Sequence, residues 1–240
     1  MSACKRGTRV SVYFCMGKFL SGVVFFSLLA GLGSRPVQAQ TDVALSGYGA
    51  FNQSSSSSTT IQKPSDQAGF LIEARHITNP LVGYEVTYAY NRANQAYATS
   101  QPQACPAFGC SSSTAAVQAN AHEITADWVA SLRILNVRPF ALAGGGVLVT
   151  VPQGGSVTTN VCGLLTPLCS SSTTAASTQT QAKAMFVYGA GVDWTVLPHL
   201  GLRFQYRGRV YKAPDLATAF SSTDKFTRTS EPVLGVFLRF

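Results

Sequence analysis

Residues 182–212 read AKAMFVYGAGVDWTVLPHLGLRFQYRGRVYK. In both halves of this stretch, large apolar side chains alternate with small, polar or charged ones, which is the period-2 pattern of a β-strand with one apolar face. In the first half the apolar face runs from Phe186 to Val196, and the opposite face carries Asp193. Since Pro198-His199 separates the two halves, the stretch predicts two long antiparallel strands joined by a tight turn.

The same pattern recurs along the chain. Most of the segments are about 9–14 residues long, whereas soluble sheets use about 5–6 and tilted transmembrane strands about 9–11. No segment has the spacing of an amphipathic helix. The eight candidate strands are 42–52, 69–77, 81–93, 122–135, 137–151, 182–197, 200–212 and 229–240.

The connections between these strands alternate strictly in length. Three are short: 78–80, Asn136 and Pro198-His199. The four others, about 53–68, 94–121, 152–181 and 213–228, are long and rich in Ser, Thr, Ala, Gln and Gly. Outer-membrane barrels have short periplasmic turns and long external loops.

The sequence therefore predicts an all-β domain over residues 40–240, an eight-stranded antiparallel up-and-down transmembrane β-barrel with four external loops. Aromatic side chains near strand ends, such as Tyr84, Trp194 and Phe240, favour contact with lipid. The alternative is a soluble barrel or sandwich, in which the apolar face points inward.

Residues 1–39 predict a cleaved signal peptide. A basic region ending near Lys18 precedes the apolar stretch Phe19–Leu32, and Val37-Gln38-Ala39 places small residues at the cleavage site. The apolar stretch is shorter than the ~20 residues that a transmembrane helix needs, although an anchor helix is the alternative. We expect export to the outer membrane of a diderm bacterium.

The positive charge is concentrated in this leader. The chain has a formal net charge of +8, but five of its 18 basic residues precede residue 40, which leaves 13 basic against 10 acidic residues, or +3. Nucleic-acid binding needs a clustered basic face, so this class of function is excluded.

The exported part keeps four cysteines, in the local pairs Cys105/Cys110 and Cys162/Cys169. Their spacings, with four and six intervening residues, do not fit the usual zinc pattern on both sides. In an oxidising compartment two loop disulfides, Cys105–Cys110 and Cys162–Cys169, are the simpler interpretation. We predict no metal site and no cofactor.

Ionisable residues recur on the polar face of the strands. The turn at Pro198-His199 predicts Asp193 opposite Arg203, and the first short turn predicts Glu73 opposite Glu85 with Arg75 on the diagonal. Buried charges need partners, so we interpret the set as a structural ion network in the lumen and not as a catalytic site. Strand 137–151 contains Gly144-Gly145-Gly146, and its faces cannot be assigned. The inward-facing set is Glu73, Arg75, Glu85, Glu123, Asp127, Arg133, Asp193, Arg203, Arg207, Arg209, Glu231 and Arg239.

An enzyme would need a reactive group near the outer rim, where His122 is the one candidate histidine. Some outer-membrane lipid A deacylases use a histidine and a nearby serine there, but His122 is followed by Glu123-Ile124-Thr125. The chain also lacks Gly-x-Ser-x-Gly, a phosphate loop and His-Glu-x-x-His. We therefore predict no catalytic residues.

The last eight residues, 233–240, read VLGVFLRF. Gly235, Leu238 and Phe240 match the spacing of the assembly signal that ends bacterial outer-membrane barrels, although Val233 stands where a polar residue is usual. With the strand and loop pattern, residues 41–240 resemble the small eight-stranded barrels that include the OmpA transmembrane domain, OmpX and the opacity proteins.

This resemblance implies a non-enzymatic structural or surface-interaction role, adhesin-like or in envelope integrity, carried by the external loops. The expected partners are outer-membrane lipid, the barrel-assembly machinery and an unknown surface ligand, with the barrel itself a monomer. A narrow pore for small solutes is the alternative, followed by a lipid-modifying enzyme.

Overall fold

Twelve β-strands form the regular structure of the residues that the computed structural model describes, namely 40–99, 110–162 and 169–240. The predicted signal peptide and Cys105 lie outside these residues. None of the described residues forms a helix long and apolar enough to cross a membrane. The strands are β1 (Gln40–Asn52), β2 (Ser55–Ser56), β3 (Thr60–Pro64), β4 (Gln67–Ile77), β5 (Val82–Arg92), β6 (Gln95–Thr99), β7 (Cys110–Ser131), β8 (Val137–Cys162), β9 (Cys169–Ala175), β10 (Gln181–Leu197), β11 (Leu200–Lys212) and β12 (Phe226–Arg239).

Eight of these strands close into a barrel in the order β1-β4-β5-β7-β8-β10-β11-β12. Every neighbouring pair is antiparallel, and β12 returns to β1 with Gly235 opposite Ser46. Closure leaves no open sheet edge, which lipid could not hydrogen-bond. The predicted eight-stranded up-and-down barrel is confirmed.

The outer wall of the barrel is apolar and its interior is polar. On β7, Ile124 and Trp128 are 62% and 71% exposed, whereas the intervening Thr125 and Asp127 are buried. A soluble barrel would have the reverse arrangement, because exposed apolar surface of this extent is unfavourable in water. The soluble alternative is therefore wrong, and the outer wall is suited to lipid.

The register of the first hairpin differs from the sequence prediction. In the turn, Asn79 Oδ1 accepts hydrogen bonds from the backbone N–H groups two and three residues further on, at 3.1 and 2.8 Å. The turn is therefore centred on Pro80, and Arg75 lies opposite Glu85. The predicted pairing of Glu73 with Glu85 is wrong by two residues, and the structure pairs a cation with an anion instead.

Three of the four long connections contain β-structure. β2 and β3 lie within 53–68, β6 and the first half of β7 within 94–121, and the end of β8 together with β9 within 152–181. These segments form an open sheet beyond the barrel, in the order β2-β3-β6-β7-β8-β9, which we call the external sheet. Its strands are rich in Ser, Thr, Ala and Gln and contain few large apolar residues, so their sequence is typical of loops.

The fourth long connection folds back over the mouth of the barrel. Residues 213–225, which we call the cap, place Leu216, Ala217 and Phe220 against Tyr97 and its neighbours on the inner face of β6 and β7. Tyr97 Oη donates to Pro214 O and accepts from Leu216 N, both at 3.0 Å. Burial raises the pKa of the Tyr97 hydroxyl above its ordinary value, so this group stays protonated.

Candidate functional site

The inner half of the lumen holds an ion network centred on Arg203. Arg203 Nε lies 2.8 Å from Asp193 Oδ1, and its Nη2 lies 2.9 Å from Asp42 Oδ1. Arg75 binds Glu85 at 2.6 Å and Asp193 at 3.0 Å. Buried charges at these distances stabilise one another only as a set, because each loses its hydration on folding. We call this set the inner cluster: Asp42, Glu73, Glu85, Asp193, Arg75, Arg138 and Arg203.

A second set, the outer cluster, fills the lumen between the inner cluster and the cap. It consists of Glu123, Glu231, Arg207 and Arg209, all almost fully buried. Arg207 Nη2 lies 2.9 Å from Glu123 Oε1, and Arg209 Nη2 lies 2.7 Å from Glu231 Oε1. Arg209 also binds Glu123. Two carboxylates thus face two guanidinium groups.

Together the two clusters fill the barrel with paired side chains. An eight-stranded barrel is just wide enough for its interior to be occupied by its own side chains. Glu73, Glu85 and Glu231 have no exposed surface, so solvent does not reach the carboxylates that would act as acid or base. This arrangement suits a rigid scaffold better than acid–base chemistry.

The structure buries all nine residues of the predicted lumen network in the interior, and sequence reasoning missed two members. Asp42 is fully buried, and the alternation of β1 could have revealed it, because Asp42 shares the face of Ser46. Arg138 binds Asp42 at 2.6 Å, but it lies in the strand whose glycines obscured both faces. The nine predicted members are Glu73, Arg75, Glu85, Asp127, Asp193, Arg203, Arg207, Arg209 and Glu231.

Two further residues of the predicted inward-facing set lie near the short turns. The inward placement of Arg133 is wrong, because β7 ends at Ser131 and Arg133 is exposed in the turn beyond it. The turn is tight, with Leu135 at a φ of 55°. Arg239 is buried at the same end of the barrel, and its Nη1 donates to Thr195 Oγ1 at 2.9 Å.

The three described histidines lie away from both clusters. His122 Nδ1 is 2.9 Å from Tyr88 Oη on the outer wall, and His76 Nδ1 is 2.9 Å from Thr41 Oγ1. His199 Nδ1 is 3.1 Å from the backbone oxygen of Arg239. Within the described chain, none of the three rings hydrogen-bonds a carboxylate, so no Ser-His-acid arrangement is formed around His122.

Cys110, Cys162 and Cys169 lie at the tip of the external sheet. A disulfide joins Cys162 at the end of β8 to Cys169 at the start of β9, with Cα atoms 4.1 Å apart. Cys110 lies opposite Cys162 in the β7–β8 ladder. Because Cys105 is outside the described residues, the bond between Cys105 and Cys110 stays a prediction.

The external sheet ends on β9, which has β8 as its neighbour on one side and no described strand on the other. All seven residues of β9 are exposed. The 3.0 Å hydrogen bond from Ala176 N to Gly155 O shows which residue pairs of the β8–β9 ladder are hydrogen-bonded. Because hydrogen-bonded pairs alternate in an antiparallel ladder, Ser171, Thr173 and Ala175 point their backbone groups away from β8.

No protein-family model matches the sequence, and no curated protein matches it significantly. Among solved structures, the outer membrane protein OprG from Pseudomonas aeruginosa aligns with a TM-score of 0.52 at 10% identity, covering 85% of this chain and 97% of that one. This is the small eight-stranded outer-membrane barrel fold. The attachment invasion locus protein Ail of Yersinia pestis aligns with a TM-score of 0.45 at 14% identity, covering 85% of this chain and all (100%) of that one.

The barrel has two regions with distinct chemistry. Its lumen is closed by ion pairs and by the cap, whereas its external sheet is open to solvent. The likeness to OprG concerns the fold alone, at 10% identity.

Proposed function

We propose that this chain is a non-enzymatic outer-membrane barrel that contacts other proteins through its external sheet. The observation that carries the proposal is the free edge of β9. This edge recruits an extended segment of a partner polypeptide, which adds to the sheet as a further strand by backbone hydrogen bonding.

The composition of β9 supports this use of its edge. Natural proteins protect exposed edges with charged side chains, proline, bulges or a covering segment. β9 reads CSSSTTA from Cys169 to Ala175 and contains no charge and no proline. It is paired with β8 in regular register, from Ser156 opposite Ala175 to Cys162 opposite Cys169. Nothing in the strand itself prevents another strand from pairing with it.

The disulfide between Cys162 and Cys169 supports the same role. It holds the free strand against β8 at the tip of the hairpin, which reduces the entropy that β9 would lose on binding. The hydroxyl-bearing side chains of β9 leave both faces soluble, so the backbone edge is the part that recognises a partner. The filled lumen favours this external function over a pore, and the surroundings of His122 do not favour an enzyme.

Residence in the outer membrane belongs to the same proposal. The exposed apolar belt of the barrel fits lipid. Leu238 on the outer side of β12 and Phe240 directly after the strand, both in the proposed assembly signal, are 51% and 76% exposed. These side chains are accessible to the barrel-assembly machinery, and Gly235 lies at the closing seam. We propose that the barrel acts as a monomer.

The edge is tested by comparing Thr173→Pro with Thr173→Val. Both variants lose the hydrogen bond between Thr173 Oγ1 and Thr158 Oγ1, which are 3.0 Å apart, but only proline removes the outward N–H group. Bacteria displaying each variant are counted on cultured epithelial cells, with and without protease treatment of the cell layer. We expect Thr173→Val to attach like the wild type and Thr173→Pro to fall to the level of cells without the barrel.

Equal attachment of the two Thr173 variants would overturn the proposal. Attachment that survives protease treatment would do the same, since the proposed partner is a polypeptide. Cross-linking of the purified protein tests whether a second copy of this chain occupies the edge instead. A dimer that Thr173→Pro abolishes would show that a second copy of β9, and not another protein, occupies the edge.

A further inference from the structure

A polar cleft opens on the outer wall where the barrel meets the external sheet. It has a volume of about 350 Å³. It lies beside β5, β7 and β8, on the outer surface and separate from both lumen clusters. Its side chains are Tyr90, Arg92, Asn94, Gln118, Asn120 and Gln153.

Irregularities in neighbouring strands create this cleft at one level. β5 ends at Arg92 and β6 begins at Gln95, so Asn94 lies in a break in the wall. Across the β7–β8 ladder the register shifts beside Gln118, and Gln153 is the extra residue. Gly154 follows it with a φ of 153°, which favours glycine. Bulges of this kind redirect side chains, and they are over-represented next to functional sites.

The side chains of the cleft are donors and acceptors with few partners of their own. Within the described residues, the side chains of Arg92, Gln118 and Asn120 make no hydrogen bond. Asn94 Oδ1 accepts a long bond of 3.4 Å from Ala119 N, which leaves its amide NH₂ free to donate. Carboxamides can donate to and accept from sugar hydroxyls, while a guanidinium group binds phosphate oxygens through paired N–H donors.

An aromatic group lies directly on the membrane side of the cleft. Tyr90 packs against Phe70 with ring centroids 5.6 Å apart and against His122 at 5.2 Å. Two residues further along β7 the apolar belt begins with exposed Ile124. Aromatic girdles of this kind mark the membrane–water interface, where lipid headgroups lie.

We infer that this cleft binds the phosphorylated sugar head of a glycolipid in the outer leaflet. Arg92 binds the phosphate, and the amides of Gln118, Asn120 and Gln153 bind the sugar hydroxyls. The acyl chains lie along the apolar wall below Tyr90. The inference depends on the proposed membrane location but not on the β9 edge, so the two proposals can fail independently.

The test uses the refolded exported chain in detergent, titrated with an acylated, diphosphorylated glucosamine disaccharide and followed by native mass spectrometry. Arg92→Gln and Gln153→Ala probe the cleft. Arg228→Gln is the matched control, because Arg228 is an exposed arginine on the outer face of β12, away from the cleft. All variants are first checked for a folded barrel by their gel mobility with and without boiling.

We expect Arg92→Gln to weaken binding about tenfold, the size of one charge-assisted hydrogen bond. Gln153→Ala should weaken it several-fold, and Arg228→Gln should bind like the wild type. Equal affinity of Arg92→Gln and Arg228→Gln would overturn the inference. So would equally tight, Arg92-dependent binding of phosphatidylglycerol, because that lipid offers a phosphate without the sugar.

The deacylated phosphodisaccharide distinguishes the source of the ligand. If it binds much more weakly than the acylated compound, the ligand is a membrane lipid, as proposed. If it binds equally well and still requires Arg92, the cleft takes a soluble phosphosugar and the lipid assignment is wrong.

Discussion

Replacing Arg203 by methionine removes a cation that four buried carboxylates share. Its guanidinium lies 2.8–3.5 Å from Asp193, Asp42, Glu85 and Glu73. The inner cluster contains these four carboxylates and three arginines, so the substitution leaves four anions facing two cations. Removing one partner of a buried ion pair costs about 3–5 kcal/mol, and we expect Arg203→Met to lower the free energy of unfolding by that amount.

The carboxylate most affected is Glu73. Arg203 is its one ion-pair partner within the described residues, at 3.5 Å, and its remaining hydrogen bond comes from Ser46 Oγ at 2.7 Å. Glu73→Gln keeps an acceptor for Ser46 and balances the cluster at three charges of each sign. We therefore expect Glu73→Gln alone to change stability by less than about 1 kcal/mol, and to recover at least about 1 kcal/mol when combined with Arg203→Met.

The measurement is urea unfolding of the barrel in lipid vesicles, followed by tryptophan fluorescence. Trp128 and Trp194 are 71% and 47% exposed on the outer wall, so their emission changes when they leave lipid. Arg228→Met, which removes an exposed arginine, is the control. A loss for Arg203→Met within about 1 kcal/mol of this control, or strict additivity with Glu73→Gln, would refute the reasoning.

Three further outcomes are expected. In planar bilayers at two salt concentrations the protein should insert without steady openings, because the two clusters fill the lumen; discrete, stable conductance would contradict this. Tyr97→Phe removes two of the hydrogen bonds that hold the cap, those to Pro214 and Leu216, and should increase amide hydrogen exchange in residues 213–225 without changing exchange in the barrel strands. Unchanged cap exchange would contradict this role of Tyr97. Gly235→Ala should reduce the folded fraction on unboiled gels, because the added Cβ would overlap the Ser46 side chain. Gly47→Ala is the control, because a Cβ there meets nothing within 4 Å and the variant should fold normally. Equal folding of the two variants would show that the seam tolerates the methyl group.

The hairpins show how far local spacing determines pairing. Around Pro198-His199 the turn is short enough for counting alone to place Asp193 opposite Arg203, as the structure does. Around Pro80 the hydrogen bonds of the Asn79 side chain add to the turn, and counting from the strand ends misplaced Glu73 by two residues. Register depends on turn geometry, which the sequence indicates only approximately.

The interior and the outer segments show where sequence reasoning stops. Arg138 could not be assigned to a face because the glycines after it carry no side chain to mark an alternation. β2, β3, β6 and β9 were not predicted as strands, since each has at most seven residues and their mainly small and polar side chains give no sustained period-2 signal. The cleft around Arg92 depends on a bulge, which brings Gln153 beside residues more than 30 positions earlier in the chain.

The sequence by itself predicted an eight-stranded barrel over residues 40–240, with lipid contact favoured for its apolar face. The prediction was possible because a wall between lipid and a polar interior alternates apolar and polar side chains, and most of the strands show this alternation. Only the tertiary structure decided which charges pair, that a free strand edge stands beyond the barrel, and that the cap covers its mouth. The physical reason is that ion pairing, edge exposure and cap packing depend on residues far apart in the chain, whose juxtaposition arises only when the sheet closes.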